Sequence, residues 1–396
     1  MATRSTGLPD AKTIKLNEGA KTTPKPAATN GGGKKPSVSI DKNTLRLMKD
    51  LNVATVSYTR GAMADACLPT QKAIDEGRDI LAEAQKRLVK VGDDIKDQLA
   101  DNDLNQLTRV MYSRIPKKKV LHCAPEDWLL NKNNIMMWQA DLDAFESALY
   151  VHVDIDDKDA TDPFDGMPLK MEWVDPDSTL GKFLYNWWPK ASANRHAGVG
   201  AMKIKNMWRV ARHGDQDKIG KAQAEILTEK PRITERPPFQ PSERHDLEDN
   251  ELIKRYHSTN TGLLFHGTRS VNVRGILREG LRLPKQLVGV VITGAMFGPG
   301  CYFADDWRKS AGYTSLRGSY YSAGDGSVRG RDAFMFACDV VLGSPYVAPS
   351  SGGYTSPPKG HHCVYGKAGK SGVMNNEWII YQGKQNQLRY LAEFSA

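Results

Sequence analysis

Three short stretches decide how this chain is read. The first is Leu263-Leu264-Phe265-His266-Gly267-Thr268-Arg269, followed by Gly275-Ile276-Leu277 and Gly280-Leu281-Arg282. The second is Thr293-Gly294-Ala295-Met296-Phe297-Gly298-Pro299-Gly300-Cys301-Tyr302-Phe303-Ala304-Asp305, which runs on to Lys309-Ser310-Ala311-Gly312-Tyr313. The third is Asn375-Asn376-Glu377-Trp378-Ile379-Ile380-Tyr381. Alone, each has an ordinary reading. An isolated His-Gly-Thr is a turn histidine, and Tyr302 and Tyr313 are packing residues of a strand and a helix. A lone glutamate at a strand edge is a solvated charge. The apolar run Trp378–Tyr381, however, predicts a buried strand with Glu377 at its start. A carboxylate there is costly unless it has a partner.

Outward from these stretches, residues 151–396 read as short strands mixed irregularly with short helices. The better strand runs are Leu169–Val174, Met202–Val210, Gly262–Phe265, Ala333–Leu342, Trp378–Tyr381 and Leu388–Phe394. Helical patterns fall near 179–187, 245–256, 271–280 and 306–313, and Thr228–Arg244 is Pro-rich and reads as a loop. That mixture predicts an α+β domain, not a regular βαβ series. Residues 38–150 read differently. Asp41-Lys42-Asn43-Thr44 offers polar caps ahead of Leu45, Met48 and Val53. Ile74, Leu81, Ala84, Leu88, Val91 and Ile95 share one face of a long helix. Leu104, Leu107 and Met111 start another, limited by Pro116, and Ile135, Trp138, Leu142, Phe145 and Leu149 form a third. This is an all-helical bundle. The acidic, Pro/Gly-punctuated residues 154–166 suit a linker.

The 396 residues carry 55 Lys+Arg against 46 Asp+Glu, a formal charge of +9. More than half of that excess lies in the first 40 residues. Residues 1–37 hold almost no large apolar side chains and read as a disordered basic tail. A 40% hydrophobic content is enough for globular cores. No run approaches a membrane span, and the N-terminus lacks the apolar core of a secretory signal. The five cysteines form no Cys-x-x-Cys pair, so neither a disulfide framework nor a zinc site is indicated. The chain reads as soluble and intracellular, with nucleic acid raised as a partner by the charge. Other motifs fail. Gly324–Gly330 has the wrong spacing for a dinucleotide fingerprint and reads as a loop. His361-His362-Cys363 also reads as a loop, not a metal site, and Lys117-Lys118-Lys119 as a solvated corner.

In their order, the three stretches resemble the catalytic domain of the poly(ADP-ribose) polymerases. Those are ADP-ribosyltransferases with a His-Tyr-Glu signature, distantly similar to diphtheria toxin. Lys359-Gly360-His361-His362 with Gly366-Lys367 resembles a further family stretch. Leu45-Arg46-Leu47-Met48-Lys49 resembles the start of the family's helical regulatory domain, and Tyr112-Ser113-Arg114-Ile115-Pro116 a turn within it. The resemblance covers about residues 38–396. It implies a helical regulatory bundle at 38–150 and a mixed-strand, diphtheria-toxin-like transferase domain at 151–396. No family zinc finger or Trp-Gly-Arg domain is recognisable.

The resemblance assigns chemistry that spacing leaves silent. NAD would be the substrate, with no metal. His266 would hydrogen-bond the adenosine ribose, having one donor and one acceptor when neutral. Gly267 would hold the nicotinamide carboxamide through its backbone, with Ser310 adding a hydroxyl. Tyr313 would stack on the nicotinamide ring and Tyr302 would form another wall. Thr268, Asn272 and Arg282 would lie along the adenosine side, and Lys309 joins the NAD-binding set. Glu377, with His266 and Tyr302, would be catalytic, bonding the 2′-hydroxyl of the nicotinamide ribose. Breaking the nicotinamide–ribose bond builds positive charge on the sugar, which a nearby carboxylate stabilises. Nicotinamide departs as a neutral ring, so no general acid is needed, and the same carboxylate could activate an acceptor hydroxyl.

The sequence departs from the family where Ala295 and Asn375 stand for frequent tyrosines and Pro299 for a usual lysine. Transfer of ADP-ribose to protein or nucleic-acid acceptors, the enzyme itself among the proteins, is expected, extending to poly(ADP-ribose). A mono-ADP-ribosyltransferase or NAD-hydrolysing enzyme of the same fold stays open. So do a non-catalytic NAD-binding module and a nucleic-acid-binding scaffold. The resemblance also implies that the helical region restrains the NAD cleft, so that deleting 38–150 raises turnover. Asp141, Asp143 and Glu146 either face that cleft or form an exposed charged face. DNA would act as an activator through the tail, in a nuclear protein if eukaryotic and a cytoplasmic one if prokaryotic or viral.

Overall fold

The structure, a computed structural model, describes residues 40–63, 68–117, 124–149, 167–193, 200–247, 249–283, 296–316 and 333–395. Several features read from sequence lie outside them: the basic tail, the acidic 154–166 stretch, Thr293 to Ala295, and the 324–330 loop. Lys118, Lys119, Cys67 and Cys123 also lie outside.

The described chain forms mixed α and β structure. Six helices come first: α1 (Lys42–Ala62), α2 (Gln71–Val91), α3 (Ile95–Ala100), α4 (Asn102–Arg114), α5 (Pro125–Trp128) and α6 (Lys132–Leu149). Polar side chains start them. Thr70 accepts the Ala73 amide at the head of α2, and Asp101 accepts that of Leu104 at the head of α4. The single long helix predicted through Ile95 is interrupted. Gly92 adopts φ 92°, which ends α2, and Asp94 then caps the separate α3. Ile95 keeps the apolar phase, which is why the break was hidden. Ile74, Leu81, Leu104, Met111, Ile135, Trp138, Leu142 and Phe145 fill one core between α2, α4 and α6.

α1 departs from this grouping. Its Leu47, Met48 and Leu51 are buried in the core of the strand region, together with Trp208, Phe336 and Leu391. Trp208 donates its indole N–H to Thr44 (3.0 Å), and Arg46 pairs with Glu393 (2.7 Å). The helix that opens the helical region is therefore built into the sheet.

Among its described residues the strand region contains nine strands and five α-helices. The strands are β1 (Leu169–Trp173), β2 (Lys203–Arg212), β3 (Thr261–Gly267), β4 (Cys301–Phe303), β5 (Ala333–Val341), β6 (Pro345–Val347), β7 (Cys363–Gly366), β8 (Glu377–Ile380) and β9 (Asn386–Ser395). The helices are α7 (Thr179–Lys190), α8 (Asp215–Thr228), α9 (Asn250–Ser258), α10 (Ser270–Glu279) and α11 (Trp307–Ala311). An antiparallel sheet runs β1-β2-β9-β5-β3, and a second sheet runs β4-β8-β7-β6, in which only β6 and β7 are parallel. Sequence reading missed α8 and the short β4, β6 and β7. Cys363, read as loop, opens β7, and His362 before it is spent on the Ser344 amide and Glu229.

All nine residues of β5 are buried, because both faces of the sheet are covered. Phe334, Phe336, Cys338 and Val340 enter one core, while Ala333, Met335 and Ala337 enter the other, following the two-residue alternation of a strand. The charge this run carries, Asp339, is met by Arg244, Tyr256 and Gln387. Cys301, Cys338 and Cys363 are buried free thiols. No helix among the described residues is long and apolar enough to cross a membrane.

The two sheets share a core, and a backbone bridge between them positions everything below. Phe265, near the end of β3, and Ala304, just after β4, exchange both backbone hydrogen bonds (2.8 and 3.0 Å). Because the bridge is antiparallel, His266 lies back along Tyr302 and Phe303, while the chain beyond Ala304 returns through α11 to set Ser310 against Gly267.

Candidate active site

At that junction β3 delivers His266 beside β4. The His266 Nδ1 lies 3.0 Å from the Tyr302 carbonyl. A carbonyl only accepts, so Nδ1 carries the proton and Nε2 is left as an acceptor. Burial lowers the imidazole pKa, against the raising effect of the Tyr302 bond, so the ring favours its neutral form. Gly267 comes next. A Cβ there would stand 1.8 Å from the Ser310 carbonyl oxygen, so only glycine lets β3 and α11 approach this closely. Ser310 is buried and donates its hydroxyl to the Phe265 carbonyl (3.2 Å), leaving the oxygen lone pairs for a second partner.

Asp306 caps α11 through the Arg308 amide, and the helix carries Lys309 toward β8. Lys309 Nζ is 2.7 Å from Glu377 Oε1 and 3.3 Å from the Tyr313 hydroxyl. Glu377 is 5% exposed, so its carboxylate is met inside the protein by the Lys309 ammonium. Burial works to lower the Lys309 pKa, but Tyr313 and Glu377 outweigh it and push it up. The strand bearing Glu377 is fixed on both sides. Trp378 stacks on Tyr365 with ring centroids 3.8 Å apart. The Asn376 amide (2.9 Å) and the Trp378 indole (3.2 Å) both donate to the same oxygen of Asp305. Asp305 is thus a positioning residue that sequence reasoning quoted but left without a role.

Tyr302 is held by its hydroxyl, which accepts from the Phe297 amide (2.9 Å) and donates to the Gly298 carbonyl (2.8 Å). Burial drives its pKa upward, which keeps the hydroxyl protonated.

A cavity of about 260 Å³ lies alongside, lined by His266, Thr268, Asn272, Arg282 and Cys301 on one wall. Its other wall is Arg78 and Leu81 of α2 with Asp143, Glu146 and Ser147 of α6. Asn272 points a buried Oδ1 that has no hydrogen-bond partner among the described residues. Gly275 sits against Ser147, where a Cβ would meet the Ser147 hydroxyl at 2.4 Å, so α10 and α6 cross without intervening side chains. Arg282 is engaged from across the cavity: it pairs with Glu146 at 3.1 Å, as does Arg78 at 2.8 Å. Burial works to raise the Glu146 pKa, but Arg78, then Arg282 and Gln71, outweigh it and hold it down to about 2. Glu146 and Asp143 therefore face the cavity. Asp141 does not; it pairs with Lys117, whose ammonium also lies 4.3 Å over the Trp138 ring.

The residues singled out by sequence fall into two adjoining groups. His266, Thr268, Asn272 and Arg282 line the cavity. Lys309, Tyr313 and Glu377 form a bonded set, and the His266–Tyr302 and Gly267–Ser310 contacts join the two groups. Asn375 and Pro299 are described, with Asn375 buried, whereas Ala295 lies outside the described residues.

The sequence that builds this site has known relatives. Residues 190–374 match the family model described as poly(ADP-ribose) polymerase catalytic domain. Over that stretch, just under half of its length, the chain is similar to the poly(ADP-ribose) polymerases. It is 24% identical over 355 residues to Poly [ADP-ribose] polymerase 1 of Gallus gallus, covering 81% of this chain and 30% of that protein. The namesake from Danio rerio is equally similar over 354 residues. The one from Xenopus laevis is 32% identical over 166 residues, 35% of this chain and 15% of that protein. The chain thus spans under a third of the length of these family members. The match to the family model stops at residue 374, short of Glu377, which makes the pairing of Glu377 with Lys309 an independent observation.

Proposed function

We propose that this protein is an NAD-dependent ADP-ribosyltransferase. The observation that carries the proposal is the buried Glu377 paired with Lys309 one strand away from His266 and Gly267. Three features support NAD as the ligand. His266 presents an Nε2 acceptor suited to a ribose hydroxyl. Gly267 and Ser310 offer a backbone and a hydroxyl at one place for a carboxamide. Asn272 holds an unpartnered oxygen at the cavity wall.

In this reading the adenosine half occupies the cavity and the nicotinamide lies against Tyr302 and Tyr313. Glu377 accepts the hydrogen bond of the 2′-hydroxyl on the nicotinamide ribose. Its negative charge stabilises the cation that develops as the nicotinamide–ribose bond breaks. Lys309 pairs with the carboxylate and aims it. The electron pair of the broken bond leaves with nicotinamide, which becomes neutral, and a protein side chain then captures the sugar carbon. Transfer continues to poly(ADP-ribose).

The helical region acts as a restraint. α2 and α6 supply the far wall of the cavity, and Glu146 already occupies Arg282, a residue the adenosine side would use. Residues 1–37, with the larger share of the net charge, serve as the DNA contact.

Incubation with labelled NAD, with and without nicked DNA, read on a denaturing gel, tests these points together. High-molecular-weight ladders that depend on Glu377 and rise with DNA are the expected result. A single-unit band at saturating NAD would replace polymer growth by mono-transfer, and no labelled band with no nicotinamide release would remove the enzymatic reading.

A further inference from the structure

The loop before β4 is fastened by two tyrosines, only one of which belongs to the signature. Tyr302 accepts the Phe297 amide through its hydroxyl (2.9 Å). Tyr381, the residue after β8, donates its hydroxyl to the carbonyl of the same Phe297. Both polar groups of one buried residue are therefore held by phenols arriving from neighbouring strands. The Phe297 side chain is fully buried, and its ring fills the place a Cβ of Gly366 would take, 2.5 Å from that position. Gly366 is the β7 partner of Glu377. Gly298 follows with φ 85° and its Cα against the Tyr354 carbonyl, and the Gly352 amide donates to Met296. These contacts leave the segment little room to shift independently of the catalytic strand.

We infer that Tyr381 is a positioning residue for the nicotinamide pocket, acting through the Phe297 backbone on the ring of Tyr302. The inference rests on the functional reading above. It goes beyond that reading because Tyr381 touches neither NAD nor Glu377 in it. A phenol suits the role: burial favours its protonated, donating form, and the rigid ring delivers the donor at a fixed distance from the strand. Without that bond the Phe297 carbonyl is left unpaired, the 296–300 loop can rotate, and Tyr302 loses the amide that fixes its hydroxyl.

The test uses the full chain and benzamide, which carries the carboxamide and ring of nicotinamide. Calorimetric titration compares wild type with Tyr381→Phe, Tyr302→Phe and the double variant, alongside their unliganded melting curves. Tyr381→Phe is expected to weaken benzamide about tenfold. The double variant is expected to be no weaker than Tyr302→Phe by more than a factor of two, because both hydroxyls hold the backbone of one residue, Phe297. Wild-type affinity in Tyr381→Phe, or a double-variant loss equal to the product of the single losses, would overturn the inference even with a lowered melting temperature. If Tyr381→Phe does not fold, 3-fluorotyrosine installed at position 381 keeps the ring and strengthens the donor. Affinity at or above wild type then supports the inference, and weakened affinity overturns it. Wild type that fails to bind benzamide overturns the functional reading and this inference with it.

Discussion

Lys309 and Glu377 form an ion pair of 2.7 Å inside the protein, with side chains only 17% and 7% exposed. Removing the cation leaves a buried carboxylate without a counter-charge, at a cost of about 3–5 kcal/mol. Lys309→Met is therefore expected to lower both thermal stability and nicotinamide release, the latter by roughly a hundredfold. The pH dependence follows from the raised Lys309 pKa. A cation whose folded value lies above the ordinary 10.5 contributes its full stability below 10.5 and loses it only above. Activity should show no alkaline fall from this pair below about pH 10. An alkaline limb near pH 8 that disappears in Lys309→Met would contradict this assignment.

Glu146 bridges Arg78 and Arg282 across the cavity. Glu146→Gln keeps the shape and removes the charge, so it is expected to release Arg282 from α6, leaving its pair with Glu279 (3.0 Å), and to raise basal NAD turnover by about tenfold. Arg282 is 46% exposed, so the wild-type restraint should weaken with added salt and the variant should not respond. Acid is a poor release signal. With its pKa depressed to about 2, Glu146 keeps its charge above the usual carboxylate range and gives up its stabilising effect only as pH falls from there toward 2. Basal turnover measured from pH 5.5 to 8 should therefore show no step assignable to Glu146.

The placement of α1 changes the deletion that tests restraint. Leu47, Met48 and Leu51 are each no more than 1% exposed within the sheet core, and burying each contributes about 1.5–3 kcal/mol. Deleting residues 40–149 is expected to abolish the cooperative melt. Deleting 68–149 behind a glycine–serine linker should retain the melt and raise turnover. A soluble, folded 68–149 deletion protein with unchanged turnover would argue against restraint.

What could be read from sequence follows from where the signal resides. β5 and β9 were legible because long apolar runs between polar neighbours admit few other readings. Glu377 was legible as a charge opening such a run. Lys309 was quoted, but its pairing with Glu377 was not visible, because it is made across a helix and a strand that only the fold brings together. The Tyr381–Phe297 bond was invisible for a different reason: its acceptor is a backbone carbonyl, which every residue has. α8 is faint in the sequence although Ile219, Ala222 and Ile226 recur at three and four, because Asp215, Asp217, Lys218, Lys221 and Glu225 leave only a narrow apolar stripe. The break at Gly92 was missed because apolar periodicity continued across it. Glu146 was seen as a candidate for the cleft, but the arginines that hold it come from α2 and from beyond α10, and no local pattern joins them.

The central claim is that Glu377 provides the charge on which bond cleavage depends. The most direct measurement is nicotinamide release from NAD by wild type and by Glu377→Gln, with benzamide affinity measured in parallel. Loss of turnover by about a hundredfold or more, with benzamide affinity within threefold of wild type, is the expected result. Turnover by Glu377→Gln at the wild-type rate, with benzamide still bound, would contradict it.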